Sequence, residues 1–228
     1  MMFDPMYLVF VAPALLLAFI AQAMVSSRYA AASRVSASMT GAQAARRILD
    51  AAGLRHVSIE QIAGRMTDHY DPSSKVLRLS TEVYGNHSAA SVGIAAHEAG
   101  HAIQDAVRYK PLVLRKLAVP LASFGSSTAF ILFFIGLCVQ ALTFLAWAGI
   151  ILFSFVVIFQ IITLPVEFNA STRAKQQLSA LGIVSEEQAY HVKKVLSAAA
   201  LTYIAGTLMV LLQLLYLVSR LAGSQNRD

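Results

Sequence analysis

"LAVPLASFGSSTAFILFFIGLCVQALTFLAWAGIILFSFVVIFQIITL", residues 117–164, runs for 48 residues without one Asp, Glu, Lys or Arg. A helix crosses a hydrocarbon core in about 20 apolar residues, so this stretch predicts two spans. Only a residue or two near Gln140 is left for the turn between them. Two more uncharged stretches are of spanning length: "YLVFVAPALLLAFIAQAMV", from about Tyr7 to Val25, and "AALTYIAGTLMVLLQLLYLVS", from about Ala199 to Ser219. The composition agrees. Of 228 residues, 57% are hydrophobic and 13% charged, and the mean hydropathy is +0.62, which excludes an ordinary soluble domain.

Ala21-Gln22-Ala23 resembles a signal-peptide cleavage site. The N-terminus, however, carries Asp4 and no basic residue, and the apolar run is longer than a signal core, so the first span is expected to be retained. The net charge of +6 comes from basic residues scattered among apolar runs, with no basic stripe for nucleic acid. Lys and Arg instead report orientation: none before the first span, twelve from Arg28 to Lys116, none between spans two and three, four from Arg173 to Lys194, and two after the fourth. The positive-inside rule then gives residues 1–25 as a first transmembrane helix and 26–116 as a cytoplasmic segment. A hairpin of two spans follows at 117–164, a second cytoplasmic segment at 165–198 and a fourth span at 199–221, with both termini outside. The lone cysteine, Cys138, falls inside the second span and reads as a small packing residue.

Within the first polar segment, Thr40 with Gln43 three residues on is a capping box, and Gly53 closes the short amphipathic helix. "VSIEQIAGRMTDHY", "DPSS" and "KVLRLS" read as an extended run, a turn and a strand, giving one small hairpin. Asp68 and Asp71 read as turn chemistry beside Pro72. A helix rich in Ala is expected over residues 88–107. In the second segment, the helix runs on to Gly182, and Ser185 with Gln188 starts another that enters the fourth span.

The Ala-rich helix holds "AAHEAGHAIQ", residues 95–104. His97 and His101, four residues apart, share one helix face and can place imidazole nitrogens on a single ion, with Glu98 beside them within reach of a metal-bound water. At this chain's own His and Glu frequencies, H-E-x-x-H arises by chance in only roughly 0.4% of such sequences. The alternative is a pair of packed, hydrogen-bonded histidines, but two imidazoles and a carboxylate on an Ala/Gly-lined helix need polar partners. Catalytic zinc takes three protein ligands. The metzincin spacing fails, because Gln104 and Val107 stand where Gly and His are needed. The remaining donors are Asp105, Glu167, Glu186, Glu187, His191 and Asp228. Asp105 is better placed as an outer partner, Glu186 and Glu187 suit an exposed first turn, and Asp228 lies across the membrane. Glu167, just after Pro165 at the cytoplasmic end of span three and opening a new helix, is favoured over a water-exposed interfacial role.

"TDHYDPSSKVLRLS", "SVGIAAHEAGHAIQ", "LPVEFNASTRA" and "VLSAAALTYIAGTL" closely resemble the YugP-like neutral zinc metallopeptidases of bacterial membranes, from about Ala42 to the fourth span. The layout also resembles the broader gluzincin membrane proteases. The resemblance implies His97, His101 and Glu167 as ligands of one zinc ion and Glu98 as general base. Where the broader group's E-x-x-x-D pattern has an aspartate, this chain has Ser171, leaving Asn169 and Ser171 as candidates to orient a ligand histidine.

The expected fold is therefore a mainly α integral membrane protein, with about four transmembrane helices and a small α+β zincin-like cytoplasmic catalytic region. The expected function is a zinc-dependent endopeptidase of the bacterial inner membrane, acting on protein or peptide substrates, membrane proteins included, with the lipid bilayer as its surroundings and no nucleic-acid partner. His69, Tyr70, Arg173 and His191 are candidate oxyanion donors. "KVLRLS" is a candidate edge for an extended substrate. A zinc transporter is disfavoured, since the spans hold no Asp, Glu or His in their apolar cores. A non-catalytic zinc scaffold or partner protein is the rival, with Glu98 against it.

Overall fold

The computed structural model describes residues 5–225, leaving Asp4, Arg227 and Asp228 outside the described part. Seven helices and three strands follow in order. Helix α1 is Pro5–Ser33, α2 Gly41–Ala51, β1 Ser58–Ile62, β2 His69–Asp71, β3 Val76–Ser80, α3 Thr81–Gly85 and α4 Ala89–Ala106. Then come α5, Lys110–Cys138, a short 3-10 turn at Gln140–Leu142, α6, Thr143–Ala180, and α7, Glu186–Gln225. Four helices, α1, α5, α6 and α7, are long and apolar enough to cross a membrane.

The chain forms two compact units, one of them made of Val113–Leu164 with the chain up to Ile20 and from Thr202. Its centre packs Ala129, Phe133, Ala146, Ile150, Phe153, Val157, Tyr216, Leu217 and Leu221. Its outer face carries large apolar side chains, Phe19 at 73% exposure and Phe144 at 64% among them. Bulky apolar side chains turned outward suit a lipid solvent, which removes the hydrophobic drive between helices and leaves close packing to hold them. At Gly136 a Cβ would come within 2.2 Å of the Ala146 backbone nitrogen, so α5 and α6 meet at a distance only glycine permits. Cys138, the last residue of α5, is exposed and does not fill the packing role expected of it.

The other unit comprises Ala21–Leu112 and Pro165–Leu201. Its core is formed by α2 (Ile48, Leu49), β3 (Leu77, Leu79), α4 (Val92, Ala95, Ala96, Ala99), α6 (Ala174, Leu178) and α7 (Val192, Leu196). The capping box at Thr40 is present, with both reciprocal bonds to Gln43. Ser185 and Gln188 make the matching pair at the start of α7. Two side-chain bonds tie the late segment to the early one: Arg47 Nη2 donates to Leu181 O at 3.0 Å, and Gln188 Nε2 to Ser36 O at 2.7 Å.

Four expectations need correction. The small hairpin is part of a three-stranded sheet ordered β1-β3-β2, in which β1 runs parallel to β3 and β2 antiparallel to it. Asp71 does make the turn, accepting from Ser73 N, Ser74 N and Ser74 Oγ. Asp68 does something else: its carboxylate takes Ser80 N at 2.7 Å and Ser80 Oγ at 3.0 Å, pinning the start of β2 to the end of β3. Strand β3 is paired along its length by β1 and over Val76–Arg78 also by β2, so those residues of "KVLRLS" have no open edge for a substrate strand. Finally, Glu167 does not open a new helix. Pro165 lies inside an unbroken α6 of 38 residues, which at about 1.5 Å per residue extends about 57 Å. A proline removes one N–H from the ladder, a loss that helices of this apolar kind accommodate.

Candidate metal centre

Helix α4 is capped at its N-terminus by Ser88, whose Oγ accepts from Ser91 N. Its Ala and Gly residues let neighbours approach closely, and Gly100 uses this most, because a Cβ there would lie 2.7 Å from Ala170 O of α6. Ala170 is one turn beyond Glu167, so this contact sets the carboxylate opposite the two histidines. His97 Nε2 lies 3.3 Å and His101 Nε2 3.5 Å from Glu167 Oε2. Among the described residues, these three form the one grouping of at least three His, Cys, Asp or Glu donors gathered closely enough for an ion, all within 4.8 Å of one another. Glu167 is only 3% exposed.

Each imidazole is held from behind. His97 Nδ1 is 3.1 Å from Ser171 Oγ, and His101 Nδ1 is 3.0 Å from Gln104 Oε1. Both Nε2 atoms therefore turn toward the buried carboxylate, and such a cluster calls for positive charge at its centre. Protons can supply that charge. Burial opposes a charged His101, but its bond to Glu167 and the charge of Glu98 outweigh this and raise its pKa. Two imidazole nitrogens and one carboxylate oxygen are also the donor set that zinc takes with a fourth position left over, so the residues present fit the ion.

Glu98 is buried beside this group and outside it. Burial raises its carboxyl pKa, against the partial offset of the neighbouring histidines. Its Oε2 accepts from the Tyr70 backbone N–H at 3.1 Å. The Tyr70 hydroxyl donates to Asp105 Oδ2 at 2.9 Å, and Lys75 Nζ reaches the same oxygen. Burial, then the bond to Asp105, pushes the phenol pKa up. Tyr70 thus meets the site through its backbone, with its hydroxyl engaged by Asp105.

The other expected residues are placed as follows. Asp105 braces β2 and the turn after it. Glu186 and Glu187 lie in the first turn of α7. His191 meets Tyr190 edge-on at 5.5 Å, His69 Nδ1 is 2.7 Å from Thr67 O, and Arg173 Nε donates to Asn169 Oδ1 at 2.7 Å. Of the two orienting candidates, Ser171 touches His97, while Asn169 reaches His101 only through Gln104. Gln104 is the residue the sequence reading passed over. Its signal was present: a polar side chain one turn beyond His101, among alanines.

The model of one protein family matches residues 7–222. The "Putative membrane protease YugP" of Bacillus subtilis (strain 168) is 48% identical over 207 residues, covering 90% of this chain and 92% of that protein. No solved structure matches. With nearly its whole length matched and a relative of this identity, the chain belongs to the family described as "Putative neutral zinc metallopeptidase".

Proposed function

We propose that this protein is a membrane-embedded zinc endopeptidase of the gluzincin kind, with one ion per chain held by His97, His101 and Glu167 and with Glu98 of its H-E-x-x-H helix as general base. The observation that carries the reading is the meeting of both Nε2 atoms with Glu167 Oε2. Bound there, zinc supplies Lewis acidity, making water more acidic and a peptide carbonyl more electrophilic. Glu98 accepts the proton of the attacking water at its carboxylate and returns it to the leaving amine. The Tyr70 backbone N–H holds that carboxylate in place from the β2 side. Ser171 and Gln104 hold the imidazoles, so little reorganisation is needed when substrate arrives.

The test is metal dependence. Purified protein should carry about one zinc per chain and cleave an unfolded casein-like or membrane substrate; stripping with a chelator should abolish cleavage, and added zinc should restore it. Zinc bound with no cleavage under any condition would leave the non-catalytic scaffold as the better account. Absence of zinc would remove both.

The same reading puts residues 26–116 and 165–198, and with them the site, on the cytoplasmic side of a bacterial inner membrane, with the spans at 1–25, 117–164 and 199–221 and both termini outside. The distribution of basic residues supports this, and the substrates would be proteins or peptides, membrane proteins included. An alkaline phosphatase fused to the C-terminus should be active and a fluorescent protein fused there dark; the reverse pattern would turn the topology over.

A further inference from the structure

Gln104 is fully buried, at 0% exposure, yet each end of its amide is paired. Its Nε2 donates to Val166 O at 2.8 Å and to Asn169 Oδ1 at 3.1 Å, while its Oε1 lies 3.0 Å from His101 Nδ1. These contacts leave one consistent assignment. A backbone carbonyl only accepts, so the amide atom facing Val166 has to be the NH2. The atom facing His101 is then the oxygen, which also only accepts. His101 Nδ1 must therefore carry a proton. The same reasoning gives Nε2 a proton while it faces the Glu167 carboxylate, 3.5 Å away; once an ion takes that proton's place, the single N–H of the neutral ring stays on Nδ1 and Nε2 offers its lone pair.

His97 is held differently. Its Nδ1 faces the Ser171 hydroxyl, which donates or accepts equally well and selects neither tautomer. One histidine of the pair is thus set in advance and the other is adaptable.

We propose that Gln104 is a positioning residue with two effects: it selects the His101 tautomer whose Nε2 can bind an ion, and it ties α4 to α6 at Val166, the residue before Glu167. The proposal rests on the zinc reading of this site. Both ligand-bearing helices meet on one amide, so the separation of His101 from Glu167 and the orientation of the His101 ring are governed together. Asn169 completes the arrangement, since Arg173 Nε holds its Oδ1 toward Gln104. Glutamine suits the task better than a carboxylate would. A carboxylate accepts from His101 but has nothing to donate to Val166 O, and it adds a charge to a buried site. Ser171, where the E-x-x-x-D pattern has an aspartate, faces His97, and Gln104 orients the other histidine, His101.

Two measurements test this. Nitrogen-15 spectra of the histidine rings in the ion-free, detergent-solubilised full chain, at a pH where His101 is neutral and with His101→Asn to assign it, should show the Nδ1–H tautomer; an Nε2–H tautomer overturns the proposal. Competition for zinc against a chromophoric chelator should then show Gln104→Leu weakened by about 10–100-fold, the usual effect of losing an outer partner of a ligand. Ser171→Ala should lose less, and Gln104→Glu, which keeps the acceptor oxygen toward His101 but loses the bond to Val166 O, should regain only part of what Leu loses. A folded Gln104→Leu with wild-type affinity overturns the proposal. If that variant does not fold, the tautomer in the wild-type chain decides. If the wild type takes up no zinc, the zinc reading fails, while the tautomer of the ion-free chain still judges Gln104 on its own.

Discussion

Glu98→Gln should leave about one zinc per chain in place and reduce peptide cleavage by about 10²–10⁴-fold, the range over which a general base contributes. The amide has the shape of the carboxylate and its oxygen can still accept from the Tyr70 backbone N–H, so the local geometry persists. What disappears is the capacity to take a proton. Glu98 lies outside the donor group of His97, His101 and Glu167, and metal content should therefore not change. Stability should not fall either, because the wild-type carboxyl is buried with a raised pKa and a neutral amide is easier to bury than a charge. Metal analysis, a melting curve and a cleavage assay on the same preparation check all three parts. Undiminished cleavage would rule out Glu98 as the base.

Glu167→Gln should separate from that variant in one measurable respect: it should lose zinc as well as activity. The carboxylate supplies the negative charge of the centre, and it sits at 3% exposure between two imidazoles. An amide oxygen is a far weaker zinc donor, and its NH2 presents hydrogens where the ion needs lone pairs. The loss in affinity should exceed the about 10–100-fold expected when only an outer partner is removed, which puts this variant below Gln104→Leu in the same chelator competition. Zinc binding as tight as the wild type would mean that the third ligand lies elsewhere.

Several features were legible in the chain because their causes are local. The capping boxes at Thr40 and Ser185 each close within one turn. The i, i+4 spacing of His97 and His101 fixes their shared face before any tertiary contact forms. Other features had no local signature. Strand β1 could not be assigned to the far side of β3, because parallel pairing depends on where the connecting residues 63–68 lead, and Asp68 binding Ser80 is a contact across 12 residues. The continuity of α6 through Pro165 had no local signature either, because whether a helix runs on past a proline depends on what surrounds it. Gln104 was legible only as a polar side chain one turn beyond His101; its tie to α6 was not, because Val166 and Asn169 lie 62 and 65 residues away.

Sequence alone determined the four apolar helices, the two-histidine face with its glutamate, and the donor types at positions 97, 101 and 167. Span length and helical spacing are properties of single segments, so they survive without knowledge of the fold. Only the tertiary structure decided that Glu167 comes within 3.5 Å of both imidazoles, and that Ser171 and Gln104 hold the rings that face it. That meeting depends on α4 and α6 approaching at Gly100 and Ala170, and a distance between helices 70 residues apart is set by packing, which no single segment encodes.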